Sequence, residues 1–215
     1  MRGLILTNYY LVYRSLFAYI GIAILVSGLI FYFGEPSMYH FVAMITILLI
    51  AAPAIEVIKY EGKSGYDKYV LTLPVTRRHV VQSHYLFYFF VVMIGMLLSF
   101  GLFYGYGQMS AAPVDGVFKT VMLGTFIVLF AGAIAYPLLY VFGSEKSDAI
   151  SIGGAVGGLF VAFGLQGLIN DLIAQPPLSN INPSISAPVA YAIIGVILYI
   201  LSFFISLVIY QRKEF

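Results

Sequence analysis

The chain contains no cysteine and no tryptophan, and only 9% of its 215 residues are charged. Without cysteine there is no disulfide, no thiol nucleophile and no cysteine-ligated metal. Without tryptophan, any aromatic belt at a membrane boundary must be built from tyrosine and phenylalanine, and the chain has 18 of each. Soluble domains carry roughly a quarter charged residues, so this content excludes an ordinary solvated surface. A net charge of +2 is too small to attract nucleic acid. Catalytic signatures are missing too. There is no G-x-S-x-G elbow, no H-E-x-x-H helix and no G-x-x-x-x-G-K-[ST] phosphate loop. Nucleotide hydrolysis is therefore not expected on this chain. The three histidines, His40, His79 and His84, fall at span ends or in a polar loop, whereas zinc needs three or four converging ligands.

What is present is hydrocarbon. Hydrophobic residues make up 61% of the chain, gathered in runs of about 20, the length that crosses a bilayer. Six spans are expected, at roughly 15–33, 40–58, 85–104, 117–140, 150–169 and 189–210. The fold class is an all-α polytopic membrane protein, with residues 1–215 as one domain. The first apolar run lacks a small-x-small cleavage site after it and reads as a span, not a leader. Ahead of it, residues 1–14 carry Leu4, Leu6, Tyr9, Tyr10 and Tyr13 between Arg2 and Arg14. That pattern reads as a helix lying in the interface, the alternative being the first turns of a long span. Pro53 and Pro137 sit inside spans, where they free a backbone carbonyl. Residues 165–173 are open to two readings, a continuation of span five or a re-entrant turn. Pro176, Pro177, Pro183 and Pro188 are expected to stop any continuous helix, making 170–188 an external linker.

Basic residues orient the spans. With both termini inside, the inner set is Arg2, Arg14, Lys59, Lys63, Lys68, Arg77, Arg78, Lys146, Arg212 and Lys213, and the outer set is Lys119 alone, against Glu35, Asp115 and Asp171. Ionisable groups are nearly absent from the spans themselves. This argues against an ion-coupled transporter, which needs an acid at mid-membrane. In span five, Gly153 and Gly157 form one G-x-x-x-G pair and Gly154 and Gly158 another. Such pairs let helices approach closely, either between two copies of the chain or within one. Tyr9, Tyr10, Tyr13, Tyr136 and Tyr140 lie near the inferred inner boundary and read as an aromatic belt.

One long polar stretch interrupts the hydrocarbon, residues 59–84, KYEGKSGYDKYVLTLPVTRRHVVQSH. A short helix can run from Asp67 to Leu73 and end at Pro74. Tyr66, Tyr69, Val70 and Leu73 would then share one apolar face. A second helix can start after Thr76 as N-cap. Arg77 and Arg78 oppose the dipole at that helix start, which points to lipid anchoring or to a partner. An apolar face beside water reads as a docking surface.

Glu56 followed by YDKYVLTLPVTRRHVVQSHYL resembles the first cytoplasmic loop of small type 2 ATP-binding-cassette (ABC) permeases. In that family an acidic residue ends a span, and a glycine turn, an amphipathic helix and an L-P-[VI]-[ST]-R segment follow. The matching positions are Glu56, Gly62, Leu73, Pro74, Val75, Thr76 and Arg77. The family usually has lysine where His84 stands, which is a departure. The layout of six spans with a long linker between the last two is also similar. The resemblance implies a bacterial cytoplasmic-membrane exporter subunit. It would pair with a second permease chain, alike or different, and bind separate cytoplasmic ATPase subunits that carry ATP and magnesium. No cofactor is implied on this chain. Tyr66 to Leu73 would be the coupling helix, and the linker after span five an external gate. Membrane lipid surrounds such a chain, and its cargo would be amphipathic or apolar, with peptides favoured. Two other readings remain open: a substrate-capture subunit of a vitamin-type importer, and an intramembrane enzyme.

The absence of cysteine makes the orientation easy to test. A Lys63→Cys variant should react with a membrane-impermeant maleimide only after the cytoplasmic side is opened, and a Lys119→Cys variant in intact cells. The reverse pattern would invert the topology.

Overall fold

The computed structural model describes residues 2–110, 116–174 and 182–212. Asp115, Pro176, Pro177 and Lys213, singled out above, lie outside the described residues. Among those described, the chain is helical with no strand, and six helical stretches are long and apolar enough to cross a membrane.

The first helix, α1 (Arg2–Phe33), is unbroken. At 1.5 Å per residue its 32 residues extend about 48 Å, well beyond a hydrocarbon core of about 30 Å. The separate interfacial helix expected over residues 1–14 is therefore corrected: the segment is the beginning of the first span. Its periodic buried side explains this. Leu4, Asn8, Val12 and Leu16 recur every fourth residue and pack inward, so the stripe that seats the span continues through Arg14.

Span two is α2 (Tyr39–Ile55), extended by α3 (Val57–Ser64) after a break at Glu56. Pro53, inside α2, has no N–H to give to the carbonyl four residues back. The ladder is long just after it, with the Glu56 N–H 3.3 Å from the Ala52 carbonyl. Gly65 ends α3 in the left-handed region at φ +71°, where glycine carries no steric cost. A short helix, α4 (Tyr66–Tyr69), then tightens into a 3₁₀ turn over Val70–Thr72. The third span, α5 (Arg77–Ser110), begins directly after Thr76. The Thr76 hydroxyl lies 3.4 Å from the His79 N–H, as an N-cap should.

The remaining spans are α6 (Val117–Phe142), α7 (Ser147–Ala174) and α8 (Pro183–Arg212). Residues 165–173 are part of α7, which corrects the re-entrant alternative. Pro183 and Pro188 do not stop the helix as expected; they lie in the first turns of α8. A proline at the first helical position forfeits only an N–H that had no partner anyway. The Asn182 side chain caps that end by accepting from the Ser184 N–H at 3.0 Å.

The layers follow from the contacts. The outermost helix, α1, lies on α2 and α5; these lie on α6; and α7 and α8 cover the far side of α6. The end of the bundle holding α3 and α4 also holds the start of α1 and the last turn of α8. There, Asn8 of α1 reaches Ser83 at 3.4 Å, and Arg77 reaches the last turn of α8.

Burial in the middle of the bundle is largely aromatic, and the hydroxyls of Tyr85, Tyr88, Tyr136 and Tyr199 are all bonded. Pro137 leaves the Ala133 carbonyl of α6 without an intrahelical donor; the Ser202 hydroxyl of α8 donates to it at 2.5 Å. Tyr88 donates to the Val128 carbonyl at 2.6 Å and Tyr199 to the Tyr85 carbonyl at 2.9 Å. The Tyr85 hydroxyl meets both Ser202 and Ser206 at 2.7 Å. Gly132 leaves room for the Tyr88 ring, which a Cβ would approach to 2.4 Å. Tyr136 and Tyr140 are buried, so the aromatic-belt reading is corrected for both. Tyr10, at 62% exposure, remains available to a belt.

The glycine pairs of span five divide. A Cβ on Gly154 would lie 2.9 Å from the Ala131 carbonyl oxygen, and one on Gly158 would lie 2.8 Å from that of Ile127. These two glycines let α7 touch the backbone of α6 in the same chain, which corrects the permease–permease assignment for them. Gly153 faces open space, and a Cβ on Gly157 would meet only the tip of Ile134 at 3.7 Å. Gly154→Leu and Gly158→Leu should each destabilise the detergent-purified chain by about 1–3 kcal/mol, the usual overpacking cost, and lower its thermal midpoint. Gly153→Leu should leave that midpoint unchanged.

Candidate functional site: the basic loop and its anchors

The polar stretch does not hang free. Three ties hold it to the bundle, each reaching a different helix. The first is Lys59 on α3, whose Nζ lies 2.5 Å from Asp148 Oδ1 at the start of α7. Both groups are water-accessible, the carboxylate most of all, so solvent screens the pair and it is weak. Asp148 holds the lysine fully charged and is itself kept below the usual carboxylate range by that hydrogen bond.

The second tie is buried. Glu61 is 5% exposed and His84 2%. His84 Nε2 lies 3.0 Å from Glu61 Oε2, linking α3 to α5. The carboxylate sits off the ring N–H axis, which makes this an ion-pair contact without an aligned hydrogen bond. On the other side of the ring, Nδ1 meets the Tyr140 hydroxyl of α6 at 2.8 Å. The Tyr136 hydroxyl braces the same junction, lying 3.2 Å from the Ala54 carbonyl and 3.4 Å from that of His84. Removing one partner of a buried pair strands the other and typically costs about 3–5 kcal/mol. Gly62, one residue on, presses α3 against the α6–α7 connector, because a Cβ there would lie 2.4 Å from Ser144 Oγ.

The third tie is Arg77. Its guanidinium donates to the Gln211 carbonyl at 2.9 Å and reaches that of Tyr210 at 3.4 Å. These are end carbonyls of α8, where a cation is favoured by both hydrogen bonding and the helix dipole. The arginine that opposes the dipole of α5 thus complements that of α8, and neither the lipid nor a partner is needed to explain it.

The apolar docking face expected from sequence is partly corrected. Val70 is buried at 1% exposure, and Tyr66 and Leu73 are half-buried against the core. Tyr69 alone stands out, at 58% exposure. The cause is the switch to 3₁₀ geometry after Tyr69. Three residues per turn in place of 3.6 rotates Val70 and Leu73 off the line drawn through Tyr66 and Tyr69. Outward on the loop are Lys63, Tyr69, Thr72, Pro74 and Arg78. Glu56 is half-buried at the α2–α3 break. The loop is therefore a compact element, fixed from behind by α5, α6, α7 and α8, with a mixed aromatic and basic outer surface.

The three histidines do separate jobs: His40 meets Thr120 at 2.9 Å, His79 meets Thr76 at 3.0 Å and His84 sits in the buried pair. Sequence reasoning missed Glu61 and Tyr140. A signal for Glu61 was there. Ile50, Ala54, Val57 and Glu61 repeat at helical spacing, so a helix continued past Glu56 turns Glu61 onto the buried face.

Over residues 3–211 the sequence matches the family described as ABC-2 family transporter protein. The chain belongs to this family. No curated protein and no solved structure matches it. An ABC-2 chain is the membrane-spanning permease of an ABC transporter, a transport subunit that works with an ATPase partner in a membrane. The six spans are those of this multi-pass permease, and the anchored loop is its largest polar element outside them.

Because Arg77 ties α8 and Arg78 faces out, the permease should answer differently to their loss. Arg77→Ala should lower the thermal midpoint by an amount equivalent to about 1–2 kcal/mol, the scale of a lost charged hydrogen bond. Arg78→Ala should leave it within error of the wild type.

Proposed function

We propose that this permease is an exporter subunit of a bacterial cytoplasmic membrane, and that the loop over residues 56–78 is where its ATPase partner acts. The observation that carries the reading is the anchoring of the loop. Its outer surface, with Tyr69, Thr72, Pro74 and Arg78, is open, while its inner side is tied to α7, α5 and α8 by Lys59, Glu61 and Arg77. An element held in this way passes a displacement to the spans instead of absorbing it. Two permease chains, alike or different, would each seat this surface in a groove of an ATPase. Closure of the ATPase pair on ATP and magnesium would push α3 and α4, and with them α5 and α6.

The cargo reading rests on what lines the helices. Among the described residues, charged side chains are confined to the ends of the spans, and the body of the bundle offers aromatic and aliphatic surface. Such a path suits amphipathic or apolar cargo, with peptides favoured, and disfavours inorganic ions, which need polar groups along their route.

Co-purification with the cognate ATPase tests the docking surface. A Tyr69→Asp, Arg78→Glu double variant places acid on the open face while touching none of the three ties. It should lose the ATPase by at least about tenfold in recovered complex and keep the wild-type thermal midpoint. Full retention of the ATPase would place the docking elsewhere.

A further inference from the structure

We infer that Pro53 and Pro137 form one hinge plane across the bundle, clasped by the positioning residues Tyr136 and Ser202, at which the inner ends of α2 and α6 bend together. The inference rests on the proposed coupling role of the loop for its functional meaning; the hinge itself is a property of this chain.

The two prolines lie at one level. Each sits inside its helix with no N–H to give. Tyr136, the residue before Pro137, has its hydroxyl 3.2 Å from the carbonyl of Ala54, the residue after Pro53. The break between α2 and α3 follows at Glu56. Sharp bends in helices fall at prolines for this reason. By contrast, α1 and α5 run through unbroken and contain no proline. Those of α8, Pro183 and Pro188, lie at its opposite end. These three helices are posts beside which α2 and α6 can bend.

Packing is close on both sides of the plane. Toward the outer end, a Cβ on Gly95 of α5 would lie 3.3 Å from Ile47 Cα, and one on Gly124 of α6 would lie 3.3 Å from Met44 Cα. The backbones of α2, α5 and α6 touch there and transmit strain without yielding. Toward the inner end, Gly62 of α3 is pressed on Ser144 and Lys59 pairs with Asp148. The α3 helix therefore moves with the α6–α7 connector and with the end of α6 just before it. This inner block rests on α5 through Glu61 and Tyr140, which both meet His84.

A proline hinge in hydrocarbon needs a donor for the carbonyl it opens, and here the donor comes from a post. The Ser202 hydroxyl of α8 donates to the Ala133 carbonyl at 2.5 Å. That spends its one hydrogen, so Ser202 accepts from Tyr85 at 2.7 Å, and Tyr85 in turn accepts from Ser206 at 2.7 Å. The chain of donors runs one way, from Ser206 to Ala133, and each bond polarises the next. Bending α6 away from α8 pulls the Ala133 carbonyl off this chain and leaves it without a donor. The hinge therefore prefers its closed position and opens when the inner block is pushed. A displacement entering at the loop supplies that push.

Spin labels on the purified chain in nanodiscs, without any ATPase, test the hinge. The chain has no native cysteine. One label goes on the unbroken α1 at Arg14→Cys; its partner goes on the end of α6 at Val141→Cys or on α3 at Lys63→Cys, all exposed positions. The wild type should show one distance from each pair, with any second population below about 10%, the range of a minor conformer. Ser202→Ala opens the clasp and should raise the second population several-fold at both pairs. Pro137→Ala gives the Ala133 carbonyl an intrahelical donor, so adding it to Ser202→Ala should return both pairs to one distance. A packing role for Ser202 would show no such rescue. No second population in Ser202→Ala, a rise at Val141 alone, or a rise that Pro137→Ala leaves in place would overturn the hinge. If Ser202→Ala alone cannot be purified, recovery of the double variant carries the same support, and loss of both overturns it. In the assembled transporter, nucleotide should move the wild-type labels, and move them less in Pro137→Ala; equal movement in both would overturn the hinge as the route. Labels that answer Ser202→Ala but not nucleotide would leave the hinge standing and remove the coupling role of the loop.

Discussion

Hydrocarbon offers no hydrogen bonds, so every polar backbone group left open inside a membrane must find a partner within the protein. Much of this structure is the working-out of that constraint around α6. Pro137 leaves the Ala133 carbonyl open, and Ser202 of α8 fills it. Ser202 in turn lies beside the Tyr85 hydroxyl of α5. Tyr88 reaches across to Val128, and Tyr136 to the end of α2. Hydroxyl-to-carbonyl bonds thus cross-link α2, α5, α6 and α8 where dispersion alone would hold helices of similar shape in several registers. The glycines do the complementary work. Gly132 admits the Tyr88 ring, and Gly154 and Gly158 let α7 lie on the α6 backbone.

At the basic end the same logic changes medium. Water reaches Lys59 and Asp148, and their pair is weak. Two residues further along α3, water is excluded from Glu61 and His84, so that losing either partner would strand the other. Arg77 joins this end to the last carbonyls of α8. The loop is therefore held by one water-exposed pair, one buried pair and one arginine on helix-end carbonyls. Such a graded set suits an element that must stay in place and still move.

The sequence made the helices legible because their cause is local and repetitive. Length and hydropathy place six spans, and each expected span overlaps an observed one. Boundaries failed where a terminal turn is held by tertiary contacts. Residues 2–14 continue α1 because Leu4, Asn8 and Val12 extend its buried stripe, and Pro183 is tolerated because it opens α8, with Pro188 lying inside the same helix. The site was half legible. Its position and the Thr76 cap follow from residue type, whereas the glycine turn falls at Gly65 and not at Gly62, which lies inside α3. The burial of Val70 does not, because it depends on a switch to 3₁₀ geometry that no period of 3.6 contains. Nor do the partners of Arg77 and His84, which lie 134 and 56 residues away in the chain. Tyr136 and Tyr140 misled because tyrosine near a membrane boundary serves equally as belt or as buried donor, and only the neighbouring carbonyls decide.

The most direct test of the account is site-specific photocrosslinking in the assembled transporter. A photoreactive side chain at position 69, the exposed tip of the loop, is compared with one at position 145 on the neighbouring connector, also exposed. The account predicts that the ATPase is captured from position 69, and that capture changes in yield when nucleotide closes the ATPase pair. Capture from position 145 alone, with none from position 69, would contradict it, because the anchored loop would then not be the place where force enters the membrane.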